Sequence, residues 1–167
     1  MFKSILGRLF WTYAIILMLV FTSVAVTVGI FVNHFAISTH MNNVISVSRN
    51  LEYWTGSLQI EDTDYRARAA YKQLLRSWGS FLNSDIIVTN SNGEVLESTT
   101  SSATVPDELV HIVTNGNIVK KYSTLNGSYK NKMMVIGVPI KYQGGIVGAS
   151  FYVTGIFDIR KTTLELF

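Results

Sequence analysis

From Leu9 to Asn33 the chain reads LFWTYAIILMLVFTSVAVTVGIFVN, without one charged side chain. A helix needs about 20 apolar residues to cross a hydrocarbon layer of about 30 Å, and this run is long enough. Phe10, Trp11 and Tyr13 stand near one end, where amphipathic rings favour the headgroup region. Lys3 and Arg8 precede the run. The positive-inside rule then places the N-terminus in the cytoplasm and everything after Asn33 outside. A cleaved signal peptide is the competing reading, with Ser23-Val24-Ala25 at a plausible cleavage point. The apolar run outlasts the ~7–15 residues of a signal core and continues past that point, which favours a retained anchor. Ala25 and Gly29 form one small-xxx-small pair, a weak signal for helix pairing.

Composition limits what the rest does. The whole chain has 167 residues, no Cys and a formal charge of +3. Without Lys3 and Arg8 it carries 12 basic against 11 acidic residues, so the high isoelectric point describes no nucleic-acid surface. The absence of Cys removes disulfides, thiol catalysis and Cys-based metal sites. The part after the anchor suffices for one domain.

Residues 34 to about 60 read as a helix continuing out of the membrane. Met41, Val44, Ile45, Ser48, Leu51 and Tyr53/Trp54 recur at helical spacing. Gly56 and the cluster Glu61-Asp62-Thr63-Asp64 mark a break, with Asp62 or Thr63 as a cap. A second helix runs to about Leu82. Tyr65, Ala69, Leu74, Leu75, Trp78 and Leu82 are its expected buried side, and Arg66, Arg68, Lys72 and Arg76 its outer side. DIIVTNSNGEVLEST (Asp85–Thr99) is a hairpin with Gly93 at the turn. A Ser/Thr-rich loop follows, then a short helix with Thr104 or Val105 as cap, Pro106 in its first turn and Asn115-Gly116 at its end. IVKKYSTL, MMVIGVPIKY and GIVGASFYV read as three more strands, the last two joined at Gln143-Gly144-Gly145. GIFDIRKTTLELF turns helical again. The expected fold class is α+β: a transmembrane helix continuing into a long helix, packed on a five-stranded antiparallel sheet.

The order of these elements, together with VTNSNGEVLEST and VIGVPIKYQGGIVGASFYVTG, resembles the extracytoplasmic PAS-like (Cache/PDC) sensor domain of a bacterial membrane histidine kinase. The likeness extends over the whole chain as a pattern of order and spacing. It implies a cytoplasmic stub (1–8), an anchor (9–33), a sensor domain (34–158) and the start of an exit helix (159–167) toward a second span. A kinase also needs a phosphoacceptor helix and an ATP-binding domain, and this chain has neither motif. The chain therefore reads as a non-enzymatic sensory part of a longer kinase. A chemoreceptor or diguanylate cyclase input domain, or an anchored domain binding envelope proteins, are the rival readings.

The resemblance also implies a small-molecule site between the sheet and the segment from Ser98 to Tyr122. Arg76, Lys121, Tyr122, Tyr142 and Tyr152 are the side chains suited to a carboxylate or amine there, by charge pairing and hydrogen bonding. The competing reading leaves them as surface residues with packed stems and wet heads. Partners are then the membrane, a second copy of the chain through the Val44/Ile45/Leu51 stripe, and a small ligand or an envelope protein; no nucleic acid and no cofactor is expected. His34, His40 and His111 lack helical metal-site spacing and read as surface residues. Glu94, Glu97, Glu61, Asp62 and Asp64 read as strand-edge and cap carboxylates. Gly144, Gly145 and Gly148 sit between strands, which fits a hairpin better than a phosphate loop.

Overall fold

The computed structural model describes residues 5–60, 65–101 and 104–155. The chain divides into two compact units, one ending at Ser38 and the other beginning at Thr39.

The first unit is the upstream part of helix α1 (Ile5–Ile60). Every residue from Arg8 to Val32 is exposed. Thr12, Thr22 and Thr27 donate their hydroxyl protons to the carbonyls of Arg8, Met18 and Ser23 at 2.8, 2.8 and 2.9 Å. Their polar atoms are thus satisfied inside the helix, as an apolar solvent requires. Among the described residues this is the one helix long and apolar enough to cross a membrane, with a mean hydropathy of 2.7.

The second unit holds the rest of α1, then α2 (Tyr65–Leu82), β1 (Asp85–Asn90), β2 (Val95–Ser98), α3 (Asp107–Thr114), β3 (Val119–Ser123), β4 (Met133–Tyr142) and β5 (Gly145–Thr154). The strands form one sheet in the order β2-β1-β5-β4-β3, every pair antiparallel. β2 and β3 are its open edges.

Alternation along the strands divides the core in two. Ile86, Ile136, Ser150, Tyr152 and Thr154 share one face, under α1 and α2. Ile87, Val135, Ala149, Phe151 and Val153 share the other, packed with Leu109, Val110 and Val113 of α3 and with Val105 and Leu125. The central strands are buried on both faces, so β1 and β5 read as nearly continuous apolar runs. The β4–β5 hairpin closes through Gln143 and Gly144, both at positive φ (49° and 84°). That is a two-residue turn, whose twist matches its strands. The glycines there serve the hairpin and hold no phosphate loop.

Both helix faces differ from the expected ones. In α1, Val44, Val47, Ser48, Leu51 and Thr55 are buried, while Tyr53 and Trp54 are 68% and 47% exposed. In α2, Tyr71, Leu75, Gly79 and Leu82 are buried, and Tyr65 is 84% exposed. Ala69 is also exposed, and Leu74 and Trp78 are only half-buried. The cause is a contact between helices: Thr55 Oγ1 and Tyr71 Oη are hydrogen-bonded at 2.6 Å, which turns Tyr71 inward. Val44 and Leu51 pack within their own domain and present no stripe to a second copy.

Gly56 does not end α1. The helix runs through it, and the Tyr142 ring lies against it, where any Cβ would collide. Pro106 is the N-cap of α3 and does not stand in its first turn. Its extended ψ of 135° precedes the helical residues, and its carbonyl accepts from Leu109 and Val110 at 2.9 and 3.2 Å. The expected cap at Asp62 or Thr63 and the exit helix 159–167 lie outside the described residues.

Candidate ligand-binding region

The five residues expected to converge do not share one cavity. Lys121 and Tyr122 are neighbours on β3, so their side chains leave opposite faces of the sheet. Lys121 reaches α3 and pairs with Glu108, its Nζ at 3.0 and 3.1 Å from the two carboxylate oxygens. Tyr122 is 46% exposed at the open edge. Tyr142 is half-buried against Gly56. Tyr152 lies wholly inside the core under α1. Arg76 stands exposed on α2, at the rim of two grooves.

The space between α3 and the sheet is filled by the apolar cluster of Leu109, Val110, Val113 and Phe151. Open volume lies elsewhere. One groove of about 590 Å³ runs beside β2 and the following loop, lined by Arg76, Ser98, Thr99, Thr100 and the ion pair Lys72–Glu97 (3.0 Å). It touches the first part of the Ser98–Tyr122 segment that the resemblance implies. A narrower one of about 320 Å³ lies between the helices and β1–β2, lined by Thr55, Arg68, Tyr71, Asn90 and Glu97. A third, of about 470 Å³, opens at the end of the sheet between α2, the start of β1 and the end of β5, with Arg76, Ser84, Asp85, Thr99 and Val153 among its walls.

Sequence reasoning missed a polar seam between α1 and β5. Ser48 Oγ and Ser150 Oγ are 3.1 Å apart in the core. Further along, His40 Nε2 is 3.1 Å from Thr154 Oγ1, and Thr154 is hydrogen-bonded to Ser84. Ser84 gives its only hydroxyl proton to the Leu82 carbonyl at 2.9 Å. It must therefore accept from Thr154, and Thr154 in turn must accept from His40 Nε2–H. His40 is thus a half-buried bridge and no surface residue, and burial lowers its pKa from the usual 6.5. His34 and His111 are exposed, as expected.

Tyr152 Oη is buried without a hydrogen-bond partner among the described residues. Burial pushes its pKa up to about 12; the Ser150 and Ser48 hydroxyls nearby oppose that rise without reaching hydrogen-bonding geometry. The period-two pattern of Ser150, Tyr152 and Thr154 was the available signal, since three polar side chains on one face of a core strand need partners. Among the described residues no cluster of three or more acidic or His side chains offers a metal site. Glu94 accepts from Asn90 Nδ2 at 2.7 Å within the β1–β2 turn.

No protein-family model and no curated protein matches the chain. Solved structures do. The ligand-binding domain of the Campylobacter jejuni chemoreceptor Tlp3 in complex with L-valine aligns with 77% of this chain and 60% of its own, at a TM-score of 0.51 and 15% identity. The Tlp3 sensory domain with isoleucine bound aligns with the same shares, 77% and 60%, at 0.52 and 16%.

The fold is that of the PAS-like sensory domains.

The V. cholerae histidine kinase DctB sensor domain aligns with 78% of this chain and 57% of its own, at 0.47 and 8%. The chain spans about three fifths of the length of the Tlp3 domain.

Proposed function

We propose that this chain is the sensing input of a membrane signal-transduction protein, a sensor histidine kinase, held by the helix over 9–33 with its sheet domain outside the cell. The chain itself performs no catalysis in this reading. Its task is to change state when a ligand or partner binds and to pass that change to an output region through the helices that enter and leave the sheet. Only a signal that binds two states with different affinity shifts such an equilibrium.

One observation carries the reading: the residues leading into a PAS-like sensory fold are a charge-free, wholly exposed helix of membrane-spanning length. The kinase output rests on the sequence resemblance. A chemoreceptor input is the second reading, favoured because the Tlp3 domains, which align at TM-scores above 0.5, belong to a chemoreceptor.

The natural absence of Cys supplies the test. Lys130→Cys, on an exposed loop, should react in intact cells with a membrane-impermeant maleimide, and Ser4→Cys only after lysis. Protection of Lys130→Cys in intact cells overturns the reading.

A further inference from the structure

Charge is unevenly spread along the chain. Between Glu108 and Asp158 the sequence has five lysines and no acidic residue. Lys120 and Lys121 stand on β3, and Lys130 and Lys132 stand in the loop between β3 and β4. All four are exposed. Lys121 pairs with Glu108, while Lys120, Lys130 and Lys132 have no ion pair among the described residues. The cations thus gather along one border of the sheet. That border is also open backbone. β3 pairs with β4 on one side and with no described strand on the other. Alternate backbone N–H and C=O groups of an edge strand point away from its sheet, ready for a further strand. Tyr122 leaves the same face of β3 as Lys120 and is exposed there.

A row of lysines repels a second copy of the same edge. It attracts a strand of the opposite sign. The β2 edge of another copy is a poor candidate, because it has four residues and its Glu97 is already paired with Lys72. A lipid headgroup or a nucleic acid would use the charge and leave the open backbone unmet. An extended acidic peptide meets both. We propose that β3 is a docking edge for an extended acidic segment of a partner protein, which adds to the five-stranded sheet as one more strand. The segment's main chain bonds to the outward backbone groups of β3, which supplies affinity. Its carboxylates pair with Lys120, Lys130 and Lys132, which supplies sign selectivity and speeds encounter. An apolar or β-branched side chain in the segment packs on the Tyr122 ring.

The inference goes beyond the sensory reading and does not depend on it: maleimide labelling reports on topology, and peptide titration reports on this edge. The test is fluorescence anisotropy of a labelled peptide of alternating Glu and Val, titrated with the full chain in non-ionic detergent. Binding should saturate and weaken as salt is added. A peptide with Pro in place of each Val has the same charge and cannot form a strand, and it should bind at least about 10-fold more weakly. A peptide with Lys in place of each Glu should not bind. The double substitution Lys120→Glu and Lys132→Glu should weaken the Glu/Val peptide about 10-fold or more. Both positions are exposed, and an unchanged thermal midpoint checks that the domain stays folded. Lys120→Arg keeps the charge and should bind as the parent does. Lys72→Ala, beside β2 at the opposite edge, should also leave binding unchanged. The proposal is overturned if the Glu/Val peptide does not bind, or if the double substitution leaves its affinity intact. It is equally overturned if the Pro peptide binds as tightly, which would mark a general polyanion or lipid-headgroup patch.

Discussion

The same five strands present two unlike faces. Toward α3 the sheet offers Ile87, Val135, Ala149, Phe151 and Val153, an apolar core held by shape and volume, with the Lys121–Glu108 ion pair at its exposed edge. Toward α1 it offers Ser150, Tyr152 and Thr154, which meet Ser48 and His40, while Thr55 and Tyr71 bond between the two helices above. Apolar packing tolerates small slides, because no contact has a direction. A hydrogen bond is made or broken over a few tenths of an ångström, and a buried group left without a partner costs about 1–3 kcal/mol. The α3 face therefore behaves as foundation, and the α1 face as the surface with discrete positions.

Phe151→Ala should break the foundation with the largest effect, about 3–5 kcal/mol in urea unfolding, because it empties the centre of the α3-facing core. A loss below about 1 kcal/mol would show that face to be loosely packed. Tyr71→Phe should cost about 1–3 kcal/mol by stranding the Thr55 hydroxyl. If its effect is nil, the bond between the helices is not a constraint. Tyr152→Phe sharpens the contrast by reversing the sign: deleting a buried hydroxyl without a partner should leave stability unchanged or raise it by up to about 1 kcal/mol. A clear loss would show that Ser48 or Ser150 does bond to it.

The smallest expected effect is that of pH. His40 has a lowered pKa in the folded state, so the unfolded chain binds the proton more readily. Its contribution to stability is present above the ordinary His value of 6.5 and is lost as pH falls below it toward the folded value. His40→Gln should flatten the fall in stability on the acid side of the ordinary His value of 6.5, read by thermal midpoints. A profile unchanged by the substitution would place the proton elsewhere.

The strands were legible in the sequence because β-branched runs and turn residues are local signals. β4 begins and ends where MMVIGVPIKY does, and the Gln143-Gly144 turn is where its chemistry put it. The helix faces were less legible. Tyr71 looked no more buried than Tyr65, and only Thr55, far along the chain, decides between them. Gly56 looked like a breaker because the Tyr142 ring that demands a glycine there belongs to β4, far along the chain. For the site, period-two spacing shows that Lys121 and Tyr122 diverge, but which face receives a helix is a property of the assembled sheet. Of the five candidates, Arg76 lines the grooves described above, which its place on the outer side of α2 did not reveal.

The open edges of the sheet gain meaning from the proposed anchoring. Copies confined to one membrane plane meet edge to edge far more often than copies free in solution, and exposed strands of like proteins tend to zip together. β2 is only four residues long, and its pairing with β1 is irregular between Val88 and Thr89. β3 carries Lys120 and Lys121 side by side, both exposed. Short, kinked or positively charged edges are poor templates for a neighbour's strand. A crowded patch of such chains can therefore hold many copies close together without fusing their sheets into a fibre.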